Sequence, residues 1–429
     1  MMRKKFAVVL GCMAIGLLAG CGSKDNASEG KAADSDQVTL RVAMWDYSNT
    51  EYFKTLFDDF MKENPDITIE PVEFPSDEYN TTITTQLGGK ADFDVVFTKD
   101  MPSIAALIQQ GHLLALDDKI EGDSEFDAAD YKGLVEALKM DDKVYAVPFR
   151  SDNTLLYYNK DLFDAAQVDY PEDGMSMEEF HQLAEKLTSG EGNDKVYGAH
   201  IHTWTTNVTN QVRRLGTYNP DDVSTYDLLK EYYDEILAMQ EEGVIMDYGA
   251  LKSSNLHYSG VFYNQQAAML PIGTWYINML CENVKDFNWG VCSLPNNDGM
   301  GNENGVGSVA PVSIGAYAKH ADEAWKFIKY ICGDNGAKIL AENGIVPGYI
   351  SDGVREIFDK LPEKYPNAPE NLSKYITGDV NSVIETPMDP NAKEIENILG
   401  EMHSSVMTNS VSAEEGIENA KERVEGIQG

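Results

Sequence analysis

Hydrophobic positions follow two alternating periods over the first third of the chain. Residues 38–44 have the order Val-Thr-Leu-Arg-Val-Ala-Met, and this period of two predicts a β-strand. From Phe53 to Met61 apolar side chains recur every three or four residues, which predicts an amphipathic helix that Pro65 ends. The pattern continues with predicted strands at 67–74 and 93–97 and a predicted helix at 101–110. Between the strands, Ser76 is predicted to cap a helix over 76–88, which two glycines end. Strands that alternate with helices in this way are typical of βαβ units in a mostly parallel sheet.

Later segments repeat these elements with different sequences. Ser176 and Glu179 form a capping-box pattern before apolar positions with helical spacing, and Ser412 and Glu415 repeat it near the C-terminus. The remaining pattern predicts strands at 144–149, 155–159 and 289–294, and helices at 226–242, 321–332 and 335–342. We therefore expect two α/β bodies in one chain. The length of 429 residues agrees with this, at about 150 residues per domain.

The first residues have the pattern of a secretory signal peptide. Three basic residues at positions 3–5 precede an apolar stretch from Phe6 to Leu18, which is too short to span a membrane. The segment Leu-Ala-Gly-Cys at 18–21 resembles the bacterial lipobox, whose cysteine is lipidated and becomes the mature N-terminus. We predict a signal peptide at residues 1–20 and a lipid anchor on Cys21. The alternative is an ordinary thiol after an ordinary cleavage site.

Residues 21–37 contain no large apolar side chain after the cysteine, so they are predicted to form a flexible tether. A lipid and a tether together imply a protein attached to the extracytoplasmic face of the cell membrane, able to reorient there. Three cysteines follow at positions 281, 292 and 332. Buried thiols are the favoured interpretation, and a Cys281–Cys292 disulfide is the alternative.

Charge excludes several classes of partner. Lys and Arg number 34 against 71 Asp and Glu, which gives a net charge of −37. Nucleic-acid binding needs clustered cations on the protein, and so does electrostatic attachment to an anionic membrane surface. A hydrophobic fraction of 42% excludes a disordered acidic chain. The chain is therefore predicted to be a folded acidic protein without a nucleic-acid partner.

Several segments, in order, resemble the sugar-binding group of extracellular solute-binding proteins of ABC importers, which includes maltose-binding protein. The matching segments are Leu-Gly-Gly-Lys-Ala-Asp-Phe-Asp-Val-Val at 87–96, Gly-His-Leu-Leu-Ala-Leu-Asp-Asp at 111–118, Tyr-Ala-Val-Pro at 145–148, Leu-Tyr-Tyr-Asn-Lys-Asp-Leu-Phe at 156–163, Ala-Ala-Met-Leu at 267–270, Gly-Thr-Trp at 273–275 and Ala-Trp-Lys-Phe-Ile-Lys-Tyr at 324–330. Phe93 stands where the family usually has proline. The resemblance covers roughly residues 38 to 425.

The resemblance implies an α/β fold of two lobes, each a mostly parallel sheet flanked by helices, joined by a hinge of crossing segments. Residues 38–149 and 306–333 would form the N-terminal lobe, and residues 150–305 and 334–429 the C-terminal lobe. The crossings are expected at 149–151, near 305–308 and near 333–336. Ligand would bind in the cleft between the lobes and favour their closure, as in periplasmic binding proteins generally.

A sugar needs polar partners for its hydroxyls and aromatic rings for its C–H faces. Trp45 and Asp46 follow the first strand, and Lys99 with Asp100 follows a later one, where α/β sheets place ligand contacts. The resemblance implies sugar contacts at both places. The alternatives are a tryptophan packed on its own lobe and a charge pair at a helix N-terminus.

The resemblance also points to the hinge and the second lobe. Arg150 and Asp152 flank the first crossing, as a hydroxyl clamp or as a structural salt bridge. Trp204 would offer an aromatic platform, and Gly273, Thr274 and Trp275 carry the most specific motif, with Trp275 stacking on the sugar. Trp289 and Trp325 lie in strand and helix patterns, where core packing is favoured.

Other functions are weaker alternatives. His200 and His202 have a spacing that can bind zinc, but a polar pair or sugar donors are favoured, so we expect no metal. Lys99, Arg150 and the Arg213-Arg214 pair could serve an acidic sugar or a phosphorylated polyol. A secreted glycoside hydrolase would need paired carboxylates, which chance supplies in so acidic a chain. We predict a monomeric receptor without catalytic residues or cofactor, whose partners are a carbohydrate and ABC permease subunits.

Overall fold

The structure is a computed structural model, and it describes residues 37–254, 256–297, 304–378 and 381–429. The predicted signal peptide (1–20), the predicted lipid site Cys21 and the tether up to residue 36 lie outside the described residues. Within those residues no helix combines the length and apolar character needed to cross a bilayer.

Strands occur throughout the described part of the chain, and most of them join one mixed sheet. In chain order they are β1 (Val38–Trp45), β2 (Ile67–Phe74), β3 (Val95–Phe97), β4 (Lys139–Met140), β5 (Lys143–Val144), β6 (Val147–Asn159), β7 (Tyr197–Ala199), β8 (Ala267–Gly273), β9 (Trp289–Cys292), β10 (Asn304–Ile314) and β11 (Asn381–Ile384). β4 and β5 form a separate hairpin.

Helices cover both faces of the sheet. In chain order they are α1 (Glu51–Glu63), α2 (Tyr79–Gly88), α3 (Met101–Gln109), α4 (Asp117–Glu121), α5 (Leu134–Ala137), α6 (Lys160–Ala166), α7 (Met177–Leu187), α8 (Thr206–Arg213), α9 (Leu229–Glu241), α10 (Tyr248–Ser254), α11 (Tyr258–Tyr263), α12 (Tyr276–Asn283), α13 (Ala321–Cys332), α14 (Asp334–Glu342), α15 (Asp352–Asp359), α16 (Leu361–Lys364), α17 (Leu372–Ile376), α18 (Ala392–Met407) and α19 (Ala413–Gln428).

The sheet has the order β2-β1-β3-β10-β6-β8-β7, with β11 beside β10 and β9 beside β6. β1 runs parallel to β2 and β3, and β7 runs parallel to β8. Within this sheet the antiparallel pairs all involve β6 or β10. These two long strands therefore join two parallel α/β halves, which confirms the predicted two-lobe α/β fold.

β6 passes from one half to the other along its own length. Residues 147–153 pair with β10, whereas residues 154–158 pair with β8. The pattern predicted two strands, at 144–149 and 155–159, because polar side chains interrupt the apolar run between them. The strand is continuous because backbone bonds to β10 do not depend on side-chain polarity. The predicted crossing at 149–151 lies in this paired segment, and the one near 305–308 reaches it at residues 307 and 308.

Separate cores form on the two halves. One core packs β1, β3, α1 and α13 together, and it contains the buried Trp325. In the other half, Leu156 and Tyr158 enter one core while Leu155 and Tyr157 enter another. This alternation places helices on both faces of that sheet, because successive strand side chains point to opposite sides. The lobe boundaries given above stay a prediction.

Local signals at helix ends were partly correct. The Ser176–Glu179 capping box is present at α7, and Ser412 caps α19 through the Glu415 N–H. Ser76 makes no capping bond. It begins a single 3₁₀ turn, and α2 starts only at Tyr79. The helix predicted over 226–242 is a 3₁₀ turn followed by α9.

Buried positions agree with the favoured interpretation of the cysteines. Cys281, Cys292 and Cys332 are buried and unpaired in the described part of the chain. Burial raises the pKa of the Cys281 thiol to about 12, so the reactive thiolate is disfavoured. Trp289 is also buried, in the second half, as its strand pattern predicted.

Candidate functional site

A cleft of about 860 Å³ lies where the ends of the strands of both halves meet. Nine of the ten predicted contact residues line it: Trp45, Asp46, Lys99, Asp100, Arg150, Asp152, Trp204, Gly273 and Trp275. The tenth, Thr274, is fully buried and does not line the cleft. The structure thus brings together residues that are more than 200 positions apart in sequence.

The first half contributes a buried indole and a lysine. The Trp45 ring is only 9% exposed and packs 5.0 Å from the Tyr79 ring. Lys99 Nζ lies 5.1 Å above the Trp45 ring and donates to the Ser76 carbonyl oxygen at 2.7 Å. Trp45 is therefore largely packed on its own half, and Lys99 presents the polar edge of this group to the cleft.

Two aspartates complete this side of the cleft. Asp46 follows β1 in the left-handed backbone region, with φ of 54°, and lines the cleft. Asp100 caps α3, because its Oδ1 accepts from the Ser103 N–H at 2.8 Å. Its Oδ2 accepts from Asn80 Nδ2 at 3.1 Å. Asp100 therefore has a structural role as well as a place in the cleft.

The floor of the cleft is an ion pair at the crossing of β6. Arg150 lies 3.5 Å from Asp152, and their side chains are 17% and 3% exposed. Thr274 Oγ1 donates to Asp152 at 3.2 Å and accepts from the Asn153 N–H at 3.1 Å. Burial raises the pKa of Asp152, while Arg150 and Thr274 oppose that rise. Arg150 Nε has no protein partner in the described part of the chain.

Three aromatic rings form the wall of the second half, which we call the aromatic wall: Trp204, Tyr258 and Trp275. Trp204 is 40% exposed, and its ring lies 6.2 Å from Trp275 and 5.5 Å from Tyr258. Trp275 Nε1 donates to the Tyr258 hydroxyl at 3.2 Å. The indole of Trp275 covers Gly273 so closely that a Cβ there would lie 1.9 Å from the ring. Glycine is needed at this position because of that approach.

The histidines of the sequence motif lie behind the aromatic wall. His200 is buried, and its Nε2 is 3.4 Å from His202 Nδ1. The His202 ring packs edge-on against Trp204 at 4.6 Å. Burial lowers the pKa of His200 to about 3 and that of His202 to about 4, so both rings are neutral. Neither residue lines the cleft.

The sequence analysis did not predict Glu385, whose carboxyl group lies in the cleft. Glu385 follows β11, lines the cleft and accepts from Asn210 Nδ2 at 2.9 Å. Burial is the main cause that raises its pKa to about 7, and the negative charge of Asp100 adds to the effect. β11 is short and has only two apolar residues, so no strand was predicted there. The sequence analysis also did not predict Tyr258, which lies at the start of α11.

Charges around the cleft are mostly acidic. The charged residues that line it are Asp46, Asp100, Asp152, Glu385, Glu396, Lys99, Arg150 and Lys252. Arg213 and Arg214 lie elsewhere and donate to the backbone carbonyls of Ile384 and Leu294. The cleft therefore combines an aromatic surface with hydrogen-bond donors and hydrogen-bond acceptors.

Comparison with known proteins agrees with this architecture. A model of the bacterial extracellular solute-binding protein family matches residues 47–338. The chain is 34% identical to a sugar transporter from Rhizobium etli solved in an open conformation, with a TM-score of 0.76 and coverage of 90% of this chain and 99% of that one.

Two further proteins are similar to this chain. The multiple sugar-binding protein of Streptococcus mutans is 26% identical over 342 residues, which are 73% of this chain and 75% of that protein. An ABC substrate-binding protein from Listeria monocytogenes in complex with cycloalternan shares the fold at 21% identity, with a TM-score of 0.78 and coverage of 92% and 99%. The chain belongs to the family of bacterial extracellular solute-binding proteins.

Proposed function

We propose that this chain is the substrate-binding component of an ABC importer, which captures a neutral oligosaccharide in the cleft and delivers it to permease subunits. The observation that carries the proposal is the pairing of the aromatic wall with polar groups across one cavity. Aromatic rings suit the C–H faces of a sugar, and carboxylate, amide and guanidinium groups suit its hydroxyls. The Streptococcus mutans relative is named for binding multiple sugars.

The size and charge of the cleft favour a neutral ligand longer than one sugar. Its volume of about 860 Å³ is near the upper end of the usual range for small-molecule sites, roughly 300–1,000 Å³. Lys99 and Arg150 already contact protein oxygens, and acidic residues outnumber basic ones around the cavity. Neither cation is therefore left uncommitted for an anionic group, so a neutral oligosaccharide is favoured over a uronate or a phosphorylated polyol.

Transport follows from differential stabilisation of the closed form. A ligand that touches both the aromatic wall and the Asp46–Lys99 side gains contacts when the two halves approach, so binding shifts the population toward closure. We propose that a permease distinguishes the loaded protein from the empty one by this change. No bond of the ligand is broken in this scheme, and the chain needs no catalytic residue.

The proposed location follows from the sequence of the leader. A signal peptide at 1–20 with a lipidated Cys21 would attach the protein to the extracytoplasmic face of the cell membrane. We propose that it acts there as a monomer. The tether at 21–37 would let the cleft reorient toward the permease.

A thermal-unfolding screen of the full chain tests the proposal. The panel contains neutral oligosaccharides, uronates and phosphorylated polyols. Ligand at 100 times its dissociation constant stabilises the folded state by about 2.7 kcal/mol, so we expect a neutral oligosaccharide to raise the melting temperature by several degrees. Trp275→Ala should remove this shift, because the ring that stacks on the sugar is lost.

Tyr317→Ala is the matched control, since Tyr317 is an exposed aromatic residue that does not line the cleft. It should keep the full shift. A shift that survives Trp275→Ala would contradict the site. A shift with uronates alone would establish the acidic-sugar alternative, and shortened products after incubation would establish a hydrolase.

A further inference from the structure

A histidine between two glutamates lies outside the cleft, on the second half. His181 and Glu185 are four residues apart on α7, so they share one helix face. Glu235 lies on the facing helix α9, and Glu242 lies at its C-terminal end. His181 Nδ1 is 2.6 Å from Glu235 Oε1, and Nε2 is 2.8 Å from Glu242 Oε2. Both ring nitrogens therefore meet a carboxylate oxygen at hydrogen-bond distance.

The neutral form of the His181 ring cannot donate a hydrogen bond to both glutamates. A neutral imidazole has one N–H group, so it can donate to only one of the two carboxylates. When Nδ1–H donates to Glu235, the lone pair of Nε2 points at the negative charge of Glu242. Nε2 and Glu242 repel each other unless a cation lies between them. That cation is either a second proton or a metal ion.

The groups around Nε2 match the ligands of a metal ion. The ligand atoms of His181, Glu185 and Glu242 all lie within 4.8 Å of one another. Imidazole nitrogen with carboxylate oxygens is a usual ligand set for zinc and related divalent ions. Metal–ligand bonds of about 2.0–2.2 Å bring such atoms to about 3.3 Å from each other in a tetrahedral site. Glu185 and Glu242 are exposed, so their side chains can make this adjustment.

Glu235 occupies the position of a supporting group. Metal-binding histidines usually donate their other ring N–H to a carboxylate or a carbonyl, which fixes the tautomer and the ring orientation. Glu235 accepts from Nδ1 in this way and does not belong to the group of three ligands. Its side chain is 29% exposed and that of His181 is 12% exposed, so both groups are partly removed from solvent.

We propose that His181, Glu185 and Glu242 form a binding site for a zinc-like divalent transition ion, with Glu235 as a positioning residue. The fourth coordination position is open to water. The ion would connect α7 to the end of α9 and stabilise the second half of the protein. The proposal does not depend on the identity of the ligand in the cleft.

Zinc titration of the full, untagged chain tests the site after treatment with a chelator. Calorimetry should give one Zn²⁺ per chain, and the melting temperature should rise with the ion concentration. Mg²⁺ at the same concentration should have no effect, because it prefers all-oxygen octahedral sites. His181→Ala should abolish both the binding and the rise in melting temperature.

Two further variants keep the test independent of changes in folding. The double variant Glu185→Gln with Glu242→Gln alters only exposed side chains, and it should weaken zinc binding at least 100-fold. Glu235→Gln should weaken it by 10–100-fold, the usual effect of a supporting group. His320→Ala is the matched control, because His320 is a histidine at the start of α13 that does not belong to the group of ligands. This variant should bind zinc as the unchanged chain does.

Each result decides for or against the site. Absence of zinc binding means that a proton occupies the space between His181 and Glu242, and the proposal is then wrong. Unchanged binding in both His181→Ala and the double glutamine variant would place the ion elsewhere and would also overturn it. Loss of zinc binding in His181→Ala and in the double glutamine variant, with binding retained in His320→Ala, establishes the site.

Discussion

At the scale of single residues, the cleft depends on close packing that sequence alone does not reveal. Gly273 lies under the Trp275 indole, and Thr274 connects Asp152 to the backbone of Asn153. The Gly-Thr-Trp motif therefore combines a place for the ring, a bond to the floor and the ring itself. All three residues were predicted as ligand contacts from the sequence, but only Trp275 was given a specific role, that of stacking on the sugar.

Gly273→Ala tests how the indole is positioned. The added Cβ would lie 1.9 Å from the ring, so Trp275 must move away from its present place. We expect a loss of about 1–3 kcal/mol in the free energy of unfolding and at least tenfold weaker sugar binding. Urea unfolding and ligand titration measure the two effects.

Gly426→Ala in α19 is the control for this change, because a Cβ there meets no atom within 4 Å. It should leave binding unchanged and keep or slightly increase stability, since alanine favours helix more than glycine does. Unchanged sugar affinity in Gly273→Ala would show that the indole does not need this position.

At the scale of elements, patterns that a local segment can satisfy by itself were predicted well. The bounds of β2 and α13 agree with the pattern to the residue, because each has a regular apolar face and clear end signals. β6 was predicted as two strands because its middle is polar. The strand is continuous in the structure because β10, about 150 residues away in sequence, pairs with that middle segment. Glu385 was missed because it depends on β11, a strand that exists only beside β10.

The capping box of α7 provides a prediction for an element. Ser176→Ala removes the side-chain acceptor for the Glu179 N–H, and we expect a loss of about 1 kcal/mol in the free energy of unfolding. Ser253→Ala, at an exposed position in α10, should change stability by less than half as much. Equal effects of the two variants in urea unfolding would contradict a capping role for Ser176.

At the scale of the whole molecule, acidic groups from both halves meet beside the cleft. Glu385 is near Asp100 of the first half and near Glu396 on α18 of the second. Burial and these neighbours raise its pKa to about 7, from a usual value of 4.5. Between those values the folded chain keeps a proton that the unfolded chain has released, so stability falls as pH rises from about 4.5 to about 7.

Glu385→Gln should remove this part of the pH dependence. The variant keeps an acceptor for Asn210 but cannot ionise, so we expect it to be more stable than the unchanged chain by about 2 kcal/mol at pH 8. The two proteins should converge near pH 4.5. Urea unfolding across this range measures the difference.

Glu422→Gln on the exposed face of α19 is the control, and it should follow the unchanged chain at every pH. A Glu385→Gln variant with the same pH profile as the unchanged chain would show that the carboxyl ionises in solution-like surroundings.

The sequence by itself predicted the class of fold, the family and nine residues that line the cleft, because strand ends and short motifs are local features that a linear pattern can carry. The tertiary structure decided the rest: the continuity of β6, the place of Glu385 and the meeting of α7 with α9 at His181. Each of these needs contacts between segments distant in the chain. Such contacts form only when burial of the separate cores brings the segments together, so no local pattern predicts them.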